Sequence, residues 1–454
     1  MKKLLYLLPM AALPLMFMQS CSPEQDDLFN DSAIERLEAD AQSVLDLLCS
    51  SENGWEMLYF LNEEEDIPCY TLLVKFEKSG GDGVAQFASY SDITSNQYRI
   101  SEKSPFTVKI DNSTVLSFDS YNSIFHVFSD PDYLGEKGPT DTDYPYDSGR
   151  GMMGDYEFNV VDHSSSDVVM LKGKKRGTYT VLRRLDADVD WQQYFTDLNA
   201  TKNSMFTANP APLRLVVGER YFHLYNGGGS IFEVVDGATD DGALTAAQDW
   251  KFVLFSDGLR FITGFDQDGV NAGQDFYYNA DRTRLESSTG AYIDAGDPYW
   301  FFKTVNTADA STGNTVHNWV VEYDGMGATA KQLFDAVYAS SFGQSYPNFQ
   351  LIFAGLNGVG DILGLTGSNL VFSRYYNSLV KTADDNARTI SYTLGETQSN
   401  MEAIYTVSNN TMRDVYSLFD GKTYRFETVQ AFSMQRLRMV SVDDDELSFN
   451  VSYK

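Results

Sequence analysis

The sequence predicts a mainly β protein, with two β-rich domains of sandwich or barrel type and a few short amphipathic helices. Three observations lead there. Tyr70, Leu72, Val74 and Phe76 alternate with Thr71, Leu73, Lys75 and Glu77, the period of a strand. Runs of this kind recur at roughly 8–12-residue intervals. Turn chemistry separates them, as in Gly80-Gly81-Asp82-Gly83 and Ser256-Asp257-Gly258. Hydrophobic residues make up 43% of the chain and aromatics 14%, ample for packed cores.

The chain opens with Lys2 and Lys3, then an uncharged run from Leu4 to Met18 interrupted by Pro9 and Pro14. That run is shorter than the ~20 residues a spanning helix needs, and reads as the apolar part of a secretory signal. It ends Met18-Gln19-Ser20-Cys21. A small residue directly before a cysteine resembles the lipobox of bacterial lipoproteins. The resemblance implies that residues 1–20 are removed as a signal peptide and that Cys21 carries lipid, which would tether the chain to the membrane. Residues 21–31 form an acidic tether, and Ser22-Pro23-Glu24-Gln25-Asp26-Asp27 resembles the signal that sends Bacteroidetes lipoproteins to the outer face of the outer membrane. A lipid-anchored, cell-surface location is the expectation.

An N-terminal β-rich domain is expected over 32–206. Ser32 and Glu35 make a capping box, followed by Ile34, Leu37, Ala41, Val44, Leu45 and Leu48 at helical spacing. Asn53-Gly54 then turns the chain into a strand at Trp55. Further strands are expected around Phe87 and at 97–101, 105–110, 114–118, 123–128, 156–160, 168–171 and 178–185. A helix is expected over 191–202. Asn209-Pro210-Ala211-Pro212 breaks the chain, and a C-terminal β-rich domain is expected over 207–454. There, strands flank Gly227-Gly228-Gly229 and Ser256-Asp257-Gly258, one helix is expected from Ala328 to Ser341, and strands run on to the C-terminus.

Charge excludes some partners. The chain has 34 basic against 64 acidic side chains, net −30, and the first 20 residues hold two of the bases and none of the acids. Such a field repels nucleic acid and anionic lipid, so no nucleic-acid partner is expected. Cys49 and Cys69 would share an oxidising compartment, where a disulfide is permitted. Spacing does not bring two cysteines within bonding range, and two buried thiols are the simpler reading.

Motifs for catalysis are weak. His126, His163, His223 and His317 are scattered, and no G-x-S-x-G occurs. No metal or cofactor is expected. Asp266-Gln267-Asp268-Gly269-Val270-Asn271, with Asp275 beyond, has oxygen ligands in alternation, but its glycine falls at position four and position twelve is not glutamate; it reads as a polar turn. Tyr299-Trp300-Phe301-Phe302 reads as core strand. The segment Asp130–Gly154 stands apart. It is long and lacks apolar periodicity, and such loops are functional or disordered. It sets Tyr133, Tyr144 and Tyr146 beside Asp143 and Asp147, with Met152 and Met153 at its end. Tyrosine faces and aspartate oxygens suit a glycan or peptide ligand.

Several segments occur together and in order: Asn53-Gly54-Trp55-Glu56-Met57, Tyr70–Phe76, Leu116-Ser117-Phe118-Asp119, Phe125-His126-Val127-Phe128-Ser129-Asp130-Pro131, Gly154-Asp155-Tyr156-Glu157-Phe158 and Leu171-Lys172-Gly173-Lys174-Lys175. After a lipobox, this series resembles the Bacteroidetes lipoprotein family known as domain of unknown function 4302, most strongly over 30–185. The family supplies no catalytic residues to carry over. The resemblance implies a gene neighbourhood with an outer-membrane importer and its substrate-binding lipoprotein, hence a non-enzymatic role in capturing glycan or peptide nutrient. Two other classes stay open: a carboxylate-dependent hydrolase of glycan or peptide, and a structural envelope lipoprotein.

Overall fold

Within each of three stretches of the chain, successive strands pair antiparallel and the last returns to the first. The computed structural model describes residues 32–61, 69–80, 82–132, 151–207, 211–228, 230–236, 248–267, 269–305, 318–356, 359–367 and 369–454. The first ring runs Trp55–Tyr59, Tyr70–Ser79, Asp82–Ser89, Ser104–Asp111, Ser113–Ser117, Glu157–Asp162, Val168–Gly173, Tyr179–Arg184. It closes where Trp55 pairs with Arg184 and Tyr59 with Thr180. The short strand Arg99–Ile100 adds beside Ala88 and Ser89. A second barrel runs from Leu213–Val217 to Tyr292–Asp294 and closes at Leu215 and Ile293. A third runs from Asn318–Glu322 to Ser448–Tyr453 and closes at Trp319 and Tyr453. The chain is therefore mainly β with short helices, as its alternation predicts. The stretch 207–454 holds two closed barrels.

Eight-stranded barrels are just wide enough for side chains to fill. Trp55, Phe76, Phe87, Phe106 and Phe118 are fully buried in the first, with Phe76 against Phe106 at 4.9 Å and Phe87 stacked on Phe125 at 4.6 Å. Helix Ala33–Cys49 covers one end. Its capping box is formed as expected. Val44 and Leu48 enter the core, and the Leu48 carbonyl accepts from Trp55 Nε1 at 2.8 Å. Ile34 remains exposed.

Apolar residues on the outward face mark contacts between units. Leu73 alternates out of the first barrel and is buried under Tyr194 and Phe195 of helix Trp191–Lys202. Leu58 and Val181 pack on Val253 and Phe255 of the second barrel. Farther along, Phe432 enters the core of the second barrel beside Tyr278, 5.8 Å between rings, and Ser204 Oγ donates to the Ala431 carbonyl at 2.9 Å.

Three segments depart from the expected elements. Residues 123–128 are not a strand: Asn122 Oδ1 accepts from the N–H groups of Ile124 and Phe125, and a tight turn His126–Phe128 follows. Tyr299–Phe302 is helical within Pro298–Val305, because Asp297 accepts from Tyr299 N–H and Pro298 stands where a helix tolerates it. Helices Ser399–Val407 and Thr411–Ser417 interrupt the strands expected near the C-terminus. Among the described residues no helix is long and apolar enough to cross a membrane.

Candidate functional site

The end of the first barrel opposite helix Ala33–Cys49 is built from the motif segments. Asn122 is its buried keystone. Its Nδ2 donates to Ser101 Oγ at 2.8 Å and Ser104 Oγ at 3.1 Å, while Oδ1 caps the turn leading to His126. His126 Nδ1 accepts from Asn122 N–H at 3.0 Å, and Nε2 donates to the Phe118 carbonyl at 2.7 Å. These two partners require the neutral ring with its proton on Nε2. Burial acts in the same direction, holding the imidazole below its ordinary value. Phe118 N–H in turn donates to the Tyr156 carbonyl at 3.0 Å.

Two motifs lock together beside this turn. Asp155 Oδ1 accepts from Lys175 N–H at 3.0 Å and Oδ2 from Arg176 N–H at 2.9 Å. Tyr59 Oη donates to the Asp155 carbonyl at 2.6 Å, and Gly154 N–H donates to the Phe128 carbonyl. Burial pushes the Asp155 carboxyl up, against those two N–H groups. Glu157 goes the other way: Lys109 Nζ, 2.6 Å away, holds it below the ordinary carboxylate range.

On this framework three rings form a shelf. Tyr121 lies 5.8 Å from His126 with 34° between planes, and His126 lies 6.0 Å from Tyr156 with 32°. Tyr121 is 66% exposed and Tyr156 44%. Tyr156 also borders a pocket of about 260 Å³ whose charged lining is Asp155, Glu157, Lys174, Lys175 and Arg176. A shelf of open rings beside hydrogen-bonding and charged groups can hold a ligand with an apolar face and polar edges.

The residues singled out from sequence fall differently. Tyr133, Asp143, Tyr144, Tyr146 and Asp147 lie outside the described residues, as does Cys21. The stems of their loop border the pocket through Pro131, Met153 and Gly154. Met152 fills the core of the barrel, and Met153 is buried in the same core at the edge of the pocket. Gly151 has φ +54, and a Cβ there would sit 2.0 Å from the Asp130 carbonyl oxygen, so the loop leaves and re-enters through a fixed contact.

Asp275, in the calcium-like segment, is held by Arg260 at 2.7 and 2.8 Å, and the flanking residues Asp266 and Asn271 pair across a hairpin. Among the described residues no cluster of His, Cys, Asp and Glu could hold a metal. His163 Nε2 contacts Asp40 at 2.8 Å, and His223 sits between Tyr221 and Tyr225. Cys49 and Cys69 are free thiols, and burial raises that of Cys69 to about 12. A second cleft, about 210 Å³, lies where the first barrel, helix Trp191–Lys202 and the second barrel meet; Tyr70, Tyr90, Phe195 and Phe252 line it.

Phe118, His126 and Tyr156 all fall in the motif segments, but nothing in those segments marks them as one surface. The usable signal was Tyr121-Asn122: an exposed aromatic beside a residue that caps a turn.

The fold and site define a three-barrel β protein with an aromatic shelf at one barrel end. The chain belongs to the family Domain of unknown function (DUF4302), whose profile matches residues 25–280, more than half the chain. No curated protein matches it. Among solved structures it is similar to the DNA polymerase III subunit beta from Pseudomonas aeruginosa, with 10% identity over 91% of this chain and 97% of that one and a TM-score of 0.13. It is also similar to the DNA polymerase sliding clamp from Bacillus subtilis, with 8% identity over 92% and 96% and a TM-score of 0.11. Likenesses at that level carry no argument about fold or function.

Proposed function

We propose that the protein is an outer-membrane lipoprotein, tethered through Cys21 and displayed on the cell surface, which binds glycan or peptide nutrient and passes it to an outer-membrane importer. The anchor rests on the apolar leader ending in Ser20-Cys21 and on the acidic residues after it. The observation that carries the binding role is the shelf of Tyr121, His126 and Tyr156 bordering a charged pocket. A hydrolase remains the second reading, because Asp155 and Glu157 border one pocket with their acidities pushed apart. Binding is favoured because both carboxylates are committed. Asp155 holds two backbone N–H groups, and Glu157 holds Lys109 and Ser117.

Cys21→Ala is expected to release the protein from membranes, read by fractionation and by mass spectrometry of the mature N-terminus; an unmodified N-terminal cysteine in the wild type would refute the anchor. For the shelf, Tyr121→Ala with Tyr156→Ala should weaken glycan or peptide capture about ten- to a hundredfold, at ~1.4 kcal/mol per decade. Thermal stability should hardly change, since both rings are open to solvent. Calorimetric titration against glycan and peptide panels reads this. Unchanged affinity for a ligand found that way would remove the shelf from the site, and product release from the ligand would favour the hydrolase.

A further inference from the structure

The pocket beside the shelf has the wrong charge for its surroundings. Acids outnumber bases 64 to 34 in the chain, yet three bases and two acids line this pocket. The two acids already have partners. Glu157 is matched by Lys109 at 2.6 Å, and Asp155 is turned onto the backbone of residues 175 and 176. Lys174 is occupied too, 2.8 Å from Asp111 and 3.6 Å from Glu157. Lys175 and Arg176 are exposed, and among the described residues neither makes an ion pair. Asp155 fixes the turn that carries them through both backbone N–H groups, so two adjacent cations are presented from a held backbone. The same pocket is bordered by the exposed ring of Tyr156.

We infer that the site takes an acidic saccharide: a sugar ring lies against Tyr121 and Tyr156, and its carboxylate or sulfate meets Lys175 and Arg176. This rests on the reading of the barrel end as a binding site. A sugar offers the apolar ring face that stacks on tyrosine. A guanidinium beside an ammonium suits a planar carboxylate or a sulfate. The net charge of the chain repels anions at long range. Capture therefore needs cations outside ion pairs, and among the described residues these two are in none.

The test is calorimetric titration of the mature full chain with oligogalacturonate, dextran sulfate, neutral dextran and poly-glutamate. Oligogalacturonate or dextran sulfate should bind, dextran should bind at least tenfold more weakly, and added salt should weaken the acidic ligands. Which acidic ligand is tighter tells carboxylate from sulfate. Lys175→Gln with Arg176→Gln should lower acidic-glycan affinity about ten- to a hundredfold while leaving the unfolding midpoint unchanged, because the bonds to Asp155 come from the backbone. Dextran binding that depends on Tyr121 and Tyr156 but not on the cations would overturn the acidic preference and leave the shelf standing. Poly-glutamate binding as tightly as the glycans would overturn the saccharide. Failure of every probe to bind would overturn the inference itself, whereas glycan binding that survives loss of both tyrosines would count against the shelf.

Discussion

Gly173→Ala is expected to destabilise the first barrel by about 3 kcal/mol or more. A Cβ at that position would lie 2.0 Å from Asp155 Oδ2. The carboxylate cannot swing aside freely, since its two oxygens hold Lys175 and Arg176 N–H. Overpacking a filled site costs about 1–3 kcal/mol, and giving up hydrogen bonds to a charged group costs about 1.5–3 kcal/mol more. The damage should reach the ligand shelf as well, because Tyr156 is the next residue and its carbonyl is fixed by Phe118. Gly264→Ala is the control: nothing lies within 4 Å of a Cβ there. Denaturant unfolding followed by tryptophan emission reads both variants, with Trp55 reporting from inside the first barrel. Equal stability of the Gly173 variant and the wild type would show that the carboxylate is not pinned.

That a glycine and an aspartate 18 positions apart in sequence form one joint explains what was and was not legible beforehand. Gly154-Asp155 and Lys172-Gly173-Lys174 stand out as segments, but only the strand pairing of Phe158 with Gly173 brings them together. Alternation was readable in Tyr70–Phe76 because Thr71 and Lys75 mark the outward face, although Leu73 on that face is covered by Tyr194 and Phe195. It misled at Tyr156, which shares parity with the buried Phe158 but lies just before the strand Glu157–Asp162 and so escapes its alternation. The shelf was hidden because the turn at Asn122 joins only Tyr121 to His126, while Tyr156 comes from a distant segment held by Phe118. Aromatic content at Tyr299–Phe302 favoured a strand, while the local signal that prevailed was Asp297-Pro298 at a helix start. That helix follows the second barrel in sequence, and its Tyr299 and Phe302 pack in the core of the third. Ring closure was the least legible feature. Trp55 pairs with Arg184 and Trp319 with Tyr453, and no periodicity records a contact between the ends of a stretch that long.

Glu56→Ala should cost about 3–5 kcal/mol and loosen the first barrel from the second. Trp55 and Met57 point into the first barrel, so alternation sends Glu56 outward, where the second barrel covers it and leaves it 1% exposed. Its Oε1 accepts from Tyr194 Oη at 2.5 Å and from Ser256 N–H at 2.9 Å, and its Oε2 lies 3.4 Å from Arg183 Nε. One carboxylate thus joins the first barrel, helix Trp191–Lys202 and a hairpin of the second barrel. Truncation would strand a hydroxyl and an N–H and take the carboxylate from Arg183, which keeps its bond to Tyr277 Oη, in an interface that also holds Leu58, Val181, Val253 and Phe255 and the bond from Thr71 Oγ1 to the Leu254 carbonyl. Glu56→Gln separates geometry from charge: its amide oxygen can take over both bonds to Oε1, and only the Arg183 contact is lost. Burial, the largest influence on this carboxyl, raises it above its ordinary 4.5, with Ser256, Tyr194 and Arg183 pulling the other way. The folded protein therefore holds this proton more tightly than the unfolded chain. The stability tied to that proton is full below about 4.5 and is lost as pH rises through the raised value. The glutamine variant lacks this slope, so it should gain on the wild type as pH climbs above about 4.5. Unfolding curves at several pH values read both effects. An alanine variant that unfolds at the wild-type midpoint, in one transition, would mean that the other contacts hold the two barrels together without this carboxylate.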